Sequence, residues 1–265
     1  MAEKYDTIGI GYNLTRRADP YLVTRFLHHL NPRPNNLYLD IGCGTGNYTK
    51  ALHAYGIEIV GVDPSYEMLA RAKSENSRIK WKTGRAENIP MNDRSVDGII
   101  VSLTIHHWPD LKKGFQELSR VAKPDSRIVI FTATPSQMKG YWLNHYFPNM
   151  MKDSMIQMPT FQTVVDAMAQ RGFNVIATED YSIKADLEDL FLYSGKHKPE
   201  LYLDKEVRHG ISSFSSLANG EEVAAGLRQL KLDIASGRIK EIIHNYKNDL
   251  GDYLFLLGKL QKFSK

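Results

Sequence analysis

The stretch LYLDIGCGTGNYTKAL, residues 37–52, decides how this chain reads. Leu37 to Ile41 is a short apolar run of strand type. Gly42, Gly44 and Gly46 follow at every second position, and a helix then runs to about Tyr55, where Gly56 suits a C-terminal end. A strand, a glycine turn and a helix start let backbone pass close to a ligand and aim a helix N-terminus at it. A dinucleotide loop has the spacing G-x-G-x-x-G. Here it is G-x-G-x-G with Asn47 next, and Asp40 stands two positions before the first glycine. A carboxylate there faces a pyrophosphate badly and suits an ammonium or a sulfonium. Asp63 closes the next apolar run, IEIVGV, where a carboxylate can accept hydrogen bonds from ribose hydroxyls.

Outward from this stretch the chain alternates strand and helix. Asp19 and Pro20 form a helix start, with Leu22, Val23, Phe26, Leu27 and Leu30 on one face. Pro64 is expected to open a helix with Met68, Leu69 and Ala72 inward. RIKWKTG is a weaker third strand. VDGIIVSL, apolar at nearly every position, is a parallel strand covered on both faces. LKKGFQELSRVAK is a helix and SRIVIFTAT a fifth strand. FQTVVDAMAQRGF and NVIATEDYSI add a helix and a sixth strand, residues 185–248 read as mostly helical, and DYLFLLGKL is the last strand. The alternation implies a doubly wound, mostly parallel sheet.

Composition is that of a globular protein: 265 residues, 42% hydrophobic, 24% charged, net charge +4. So small a charge without a basic run gives no support to nucleic-acid binding. No apolar run approaches the ~20 residues of a membrane helix, and the first residues lack an apolar signal core. With one cysteine no internal disulfide can form. A cytoplasmic protein with no nucleic-acid or membrane partner is expected; the sequence leaves the oligomeric state open.

LDIGCGTGNYTKAL, VGVDPSYEML, GRAENIP, VDGIIVSLTIHHWPD and ELSRVAKPDSRIVI together resemble the class I S-adenosylmethionine-dependent methyltransferases, most closely the ubiquinone-biosynthesis and trans-aconitate-type branch. The resemblance covers about residues 35–135, with 161–183 in order. It implies a seven-stranded, Rossmann-like α/β sheet whose last strand runs antiparallel between the fifth and sixth. It places Asp40, Gly42 and Gly44 at the methionine end of S-adenosyl-L-methionine, Asp63 on the ribose, and Pro64, Ser65 and Met68 near the nucleoside. Ala86 and Glu87 would flank the adenine, and Ser102 to His106 would lie under the methyl group. An N-terminal segment, 1–34, would fold over the cofactor, with Tyr12 and Arg17 in contact. The core would span 35–184 with a lid-like insertion at about 135–158. A helical substrate or lid insertion would fill 185–248, and 249–265 would hold the final strand.

The implied reaction is methyl transfer to a small-molecule oxygen, nitrogen or carbon by in-line displacement. His106 and His107, after the fourth strand, are the candidates to take a proton from the acceptor; the alternative is that they only shape the pocket. Adjacent histidines point apart, so a metal site is not expected. Cys43 answers only a need for a small residue. The Met- and aromatic-rich stretch 138–158 lies where a lid would meet an apolar or aromatic acceptor. No Asn/Asp-Pro-Pro-Tyr run, glutamate pair or catalytic cysteine follows the fourth strand, which disfavours flipped bases, protein arginine and pyrimidine carbons. Two other readings stay open: a non-enzymatic S-adenosylmethionine-binding protein, and a nicotinamide-cofactor oxidoreductase, against which the glycine spacing and Asp40 argue.

Overall fold

A computed structural model describes residues 15–261. Its centre is a seven-stranded sheet in the order β3-β2-β1-β4-β5-β7-β6. The strands are β1 (Leu37–Ile41), β2 (Glu58–Asp63), β3 (Lys80–Thr83), β4 (Val96–Ser102), β5 (Ala122–Thr132), β6 (Phe173–Tyr181) and β7 (Tyr253–Leu260). The first five pair in parallel, and β7 pairs antiparallel to both β5 and β6. The expected sheet, with its inverted last strand, is therefore what forms.

Side chains alternate across the sheet. Val129 and Phe131 of β5 join one core with Phe255 and Leu257 of β7, while Ile128 and Ile130 join the other with Leu254 and Leu256. Helix α1 (Pro20–Leu30) buries Leu22, Val23, Phe26 and Leu30 in the first core, together with Tyr48 and Leu52 of α2 (Asn47–Ala54). Helix α3 spans Tyr66–Glu75. The second core takes α4 (Leu111–Val121) and, further along the chain, the helix Phe161–Ala169. Asp19 caps α1 by accepting the Leu22 N–H at 3.0 Å, with Pro20 at the first turn. Helix α3 starts at Tyr66, two residues after Pro64, because Ser65 is its cap and accepts the Met68 N–H.

Between β5 and β6 lie α5 (Pro135–Met138), α6 (Leu143–Tyr146), α7 (Pro148–Gln157) and α8, the Phe161–Ala169 helix. Between β6 and β7, the stretch read as mostly helical begins with irregular chain and short 3₁₀ turns. It then forms α9 (Lys205–His209), a π-helical turn at Ser213–Leu217, α10 (Gly220–Ser236) and α11 (Ile239–Asn245). These insertions share the first core: Trp142, Phe147, Tyr202, Phe214, Leu230 and Ile242 are continuous with Phe26 and Phe131. Apolar faces too small for a core of their own are buried against the sheet.

Candidate active site

The glycine loop has two structural reasons and one open position. A Cβ on Gly42 would lie 2.1 Å from Thr104 Oγ1, and one on Gly46 would lie 2.2 Å from the Trp81 ring. At these two positions a side chain would strike another side chain of the protein, and Gly42 also lines the cavity that Gly44 faces. Gly44, at φ +55°, has nothing within 4 Å of such a Cβ. Gly44 lines a cavity of about 160 Å³ at the carboxyl ends of β1, β2 and β4, where ligands of such sheets bind.

Asp40 and Asp63 both line this cavity. Asp63 accepts the Gly44 N–H at 2.8 Å on one oxygen and the Ser65 N–H at 2.9 Å on the other. The carboxylate thus ties the glycine loop to the start of α3. Asp40, 2% exposed, accepts the Thr49 hydroxyl at 2.6 Å. Burial pushes its carboxyl up to about 7, the nearby Asp63 charge adding to the rise and the Thr49 hydrogen bond opposing it. A carboxyl held at neutrality in this way gains from a cationic neighbour.

At the end of β4, Ser102, His106 and His107 line the same cavity. The two imidazole ring centroids lie 3.9 Å apart, tilted by 50°, so these adjacent histidines do not point apart, contrary to expectation. Leu103 between them and the strand has φ +51°, an uncommon conformation for leucine, held by its N–H on the Phe131 carbonyl. The Ser102 hydroxyl is buried and has no hydrogen-bond partner among the described residues.

The remaining wall comes from the insertions: Met138, Tyr141 and Met158 on the first, Phe191 and Leu217 on the second, with Tyr253 of β7. Arg16 and Asp189 also line it. Arg16 Nε donates to Asp189 Oδ1 at 2.5 Å and the Tyr48 hydroxyl to Asp189 Oδ2 at 3.1 Å. Burial raises the Tyr48 hydroxyl well above its ordinary range. The Arg16 carbonyl accepts Asn47 Nδ2, and the Thr15 carbonyl accepts the Leu190 N–H. One buried carboxylate therefore fastens the chain before α1, the helix after the glycine loop and the second insertion together.

Several expected residues fall elsewhere. Arg17 is exposed, and its neighbour Arg16 is the one drawn inward by Asp189, since adjacent residues of a non-helical chain point apart. Tyr12 lies outside the described residues. Pro64 lines a separate shallow pocket with Gly84, Arg85 and Asn88. Ala86 packs in the second core, and the Glu87 carboxylate accepts the Asp110 N–H at 3.3 Å. Met68 does line the cavity. The loop after β3 is held by Arg120, which donates to the Ile89 and Met91 carbonyls and pairs with Glu117. The stretch from Leu187 is expected to wall the pocket and does reach it, but the Arg16–Asp189–Tyr48 group itself is not legible, since nothing local couples positions so far apart.

A methyltransferase-domain family matches residues 39–130. A crystal structure of an Anabaena variabilis protein assigned as a methyltransferase of an antibiotic biosynthesis pathway is 36% identical. It covers 93% of this chain and 99% of that one, with a TM-score of 0.83. An uncharacterised methyltransferase of Mycobacterium tuberculosis is 30% identical over 51% of this chain and 55% of its own length. The demethylmenaquinone methyltransferase of Desulfitobacterium hafniense is 32% identical over 53% and 66%. The match thus spans little more than half the length of the first of these curated relatives. Sheet order, glycine loop and these likenesses define a class: this chain belongs to the class I S-adenosylmethionine-dependent methyltransferases. The nicotinamide reading falls with that assignment. Among the described residues no helix is long and apolar enough to cross a membrane.

Proposed function

We propose that this protein is a cytoplasmic enzyme that methylates a small acceptor with an apolar or aromatic body. One observation carries the reading: the glycine-loop carboxylates, the β4 histidines and an apolar wall built by the insertions open into one cavity. Its residues fit S-adenosyl-L-methionine. Asp63 stands at the cavity as an acceptor for ribose hydroxyls, the buried Asp40 carboxyl suits a cation, and the backbone at Gly44 is bare toward the cavity. When bound, S-adenosyl-L-methionine supplies a methyl group on a sulfonium leaving group, open to in-line displacement. The chain's contribution is alignment of the acceptor and exclusion of water. His106 or His107 takes the acceptor's proton where the attacking atom is a hydroxyl or a carbon acid. Residues 15–34 and the insertions at 135–158 and 185–248 close the site around the core.

The first test is the melting temperature of the protein alone, with S-adenosylhomocysteine, and with NAD. A ligand at ~100 times its dissociation constant stabilises by about 2.7 kcal/mol. A rise with S-adenosylhomocysteine and none with NAD is expected; the reverse refutes the reading. Once an acceptor is in hand, the double change H106A/H107A should lower turnover about 10²–10⁴-fold and leave the dissociation constant for S-adenosylhomocysteine unchanged.

A further inference from the structure

The insertion wall carries information about the acceptor's charge. Among the described residues, Arg16 is the only lysine or arginine lining the cavity, against three carboxylates, Asp40, Asp63 and Asp189. Its guanidinium is already matched by Asp189, which is 1% exposed and accepts from both Nε and Nη2. An anionic acceptor would enter an apolar cavity, lose its water and meet no uncommitted positive side chain there.

Polar residues interrupt the apolar wall, Gln157 and Ser212 among them, and two others pair with each other. The hydroxyls of Ser154, on α7, and Ser213, at the start of the π-helical turn, lie 2.8 Å apart. Both residues line the cavity and both are buried. Ser154 Oγ also lies 2.8 Å from the Met150 carbonyl, one helical turn back. A serine has a single proton. Ser154 Oγ is placed to donate it to the Met150 carbonyl and to Ser213, so Ser213 accepts on one lone pair and keeps its own proton and a second lone pair. π-helical turns occur often at functional sites, and this one joins the two insertions at the cavity.

We infer that the acceptor is an uncharged molecule whose own hydroxyl or amine pairs with Ser213, accepting its proton and donating to its remaining lone pair, so that the Ser154–Ser213 pair sets specificity. This rests on the methyltransferase reading of the cavity and narrows it. Carboxylates and phosphate esters are excluded as acceptors by the same wall that admits phenols.

The test uses the full chain saturated with S-adenosylhomocysteine and titrated calorimetrically at pH 7 with naphthols, their methyl ethers and the matching naphthoates. The expected order of affinity is naphthol, ether, naphthoate, with at least tenfold between the first and last. S213A should weaken naphthol binding about tenfold, weaken the ethers less and leave S-adenosylhomocysteine affinity intact; S213T should restore the naphthols. The inference is overturned if naphthoates bind as well as naphthols, if no naphthol binds, or if S213A weakens S-adenosylhomocysteine instead. Failure of S-adenosylhomocysteine itself to raise the melting temperature would refute the methyltransferase reading, a separate outcome.

Discussion

Asp40 and Asp63 are both buried at strand ends, yet they do different work. Asp63 is occupied by backbone N–H groups, whereas Asp40 is burdened by its burial. The sign for Asp40 follows from proton counting. Its folded value of about 7 lies above the ordinary carboxylate value, so between about 4 and 7 the folded state binds more protons than the unfolded one. Stability therefore falls as pH rises through that window, by up to about 4 kcal/mol. D40N should melt higher than the parent at pH 8 and alike near pH 4. Binding of S-adenosylmethionine, a sulfonium cation, should strengthen as pH rises through 7 in the parent and be weak and flat in D40N. S-adenosylhomocysteine, which lacks that charge, should show a shallower dependence. D63A should fail in two ways: the cofactor's dissociation constant rises tenfold or more, and thermal stability drops by about 1–3 kcal/mol because the Gly44 and Ser65 N–H groups lose their acceptor. A normal melting temperature in D63A would show that its hydrogen bonds to the loop carry no weight.

At the scale of elements, the contact that matters most is the one least visible in the sequence. Arg16, Tyr48 and Asp189 come from the chain before α1, from α2 and from the second insertion, and they meet at the cavity wall. Removing one partner of such a pair leaves a buried charge uncompensated, at a cost of about 3–5 kcal/mol. R16M should therefore destabilise strongly, and R16M/D189N should be more stable than R16M alone. Equal losses in the single and double variants, measured by urea unfolding, would mean that the pair does not couple. Individual elements were legible where pattern and cap agreed, as at Asp19–Pro20 and in VDGIIVSL. The stretch after β6 was read as helical, but its chain from 182 to 204 is held by long-range bonds. Asp252 accepts the Ile183 N–H at 2.7 Å and pairs with Lys196, and the Tyr141 hydroxyl donates to the Asp252 carbonyl.

At the scale of the molecule, sheet and insertions share one core. Far-UV and near-UV circular dichroism should accordingly report a single coincident unfolding transition, and L230A, far along α10, should lower the whole transition by about 2–5 kcal/mol. Two resolved transitions would make the insertions an independent unit. The resemblance to the methyltransferases supplied the inverted last strand, while the sequence by itself determined the alternation of strands and helices, the glycine turn and the carboxylates around it. These rest on local pattern: apolar period, turn residues and residues adjacent in the chain. Only the tertiary structure decided that Gly42 and Gly46 are bare for Thr104 and Trp81, and that Arg16 rather than Arg17 turns inward. It alone brought Ser154 and Ser213 side by side. Those outcomes depend on which distant surfaces meet in a shared core, and no window of neighbouring residues encodes that.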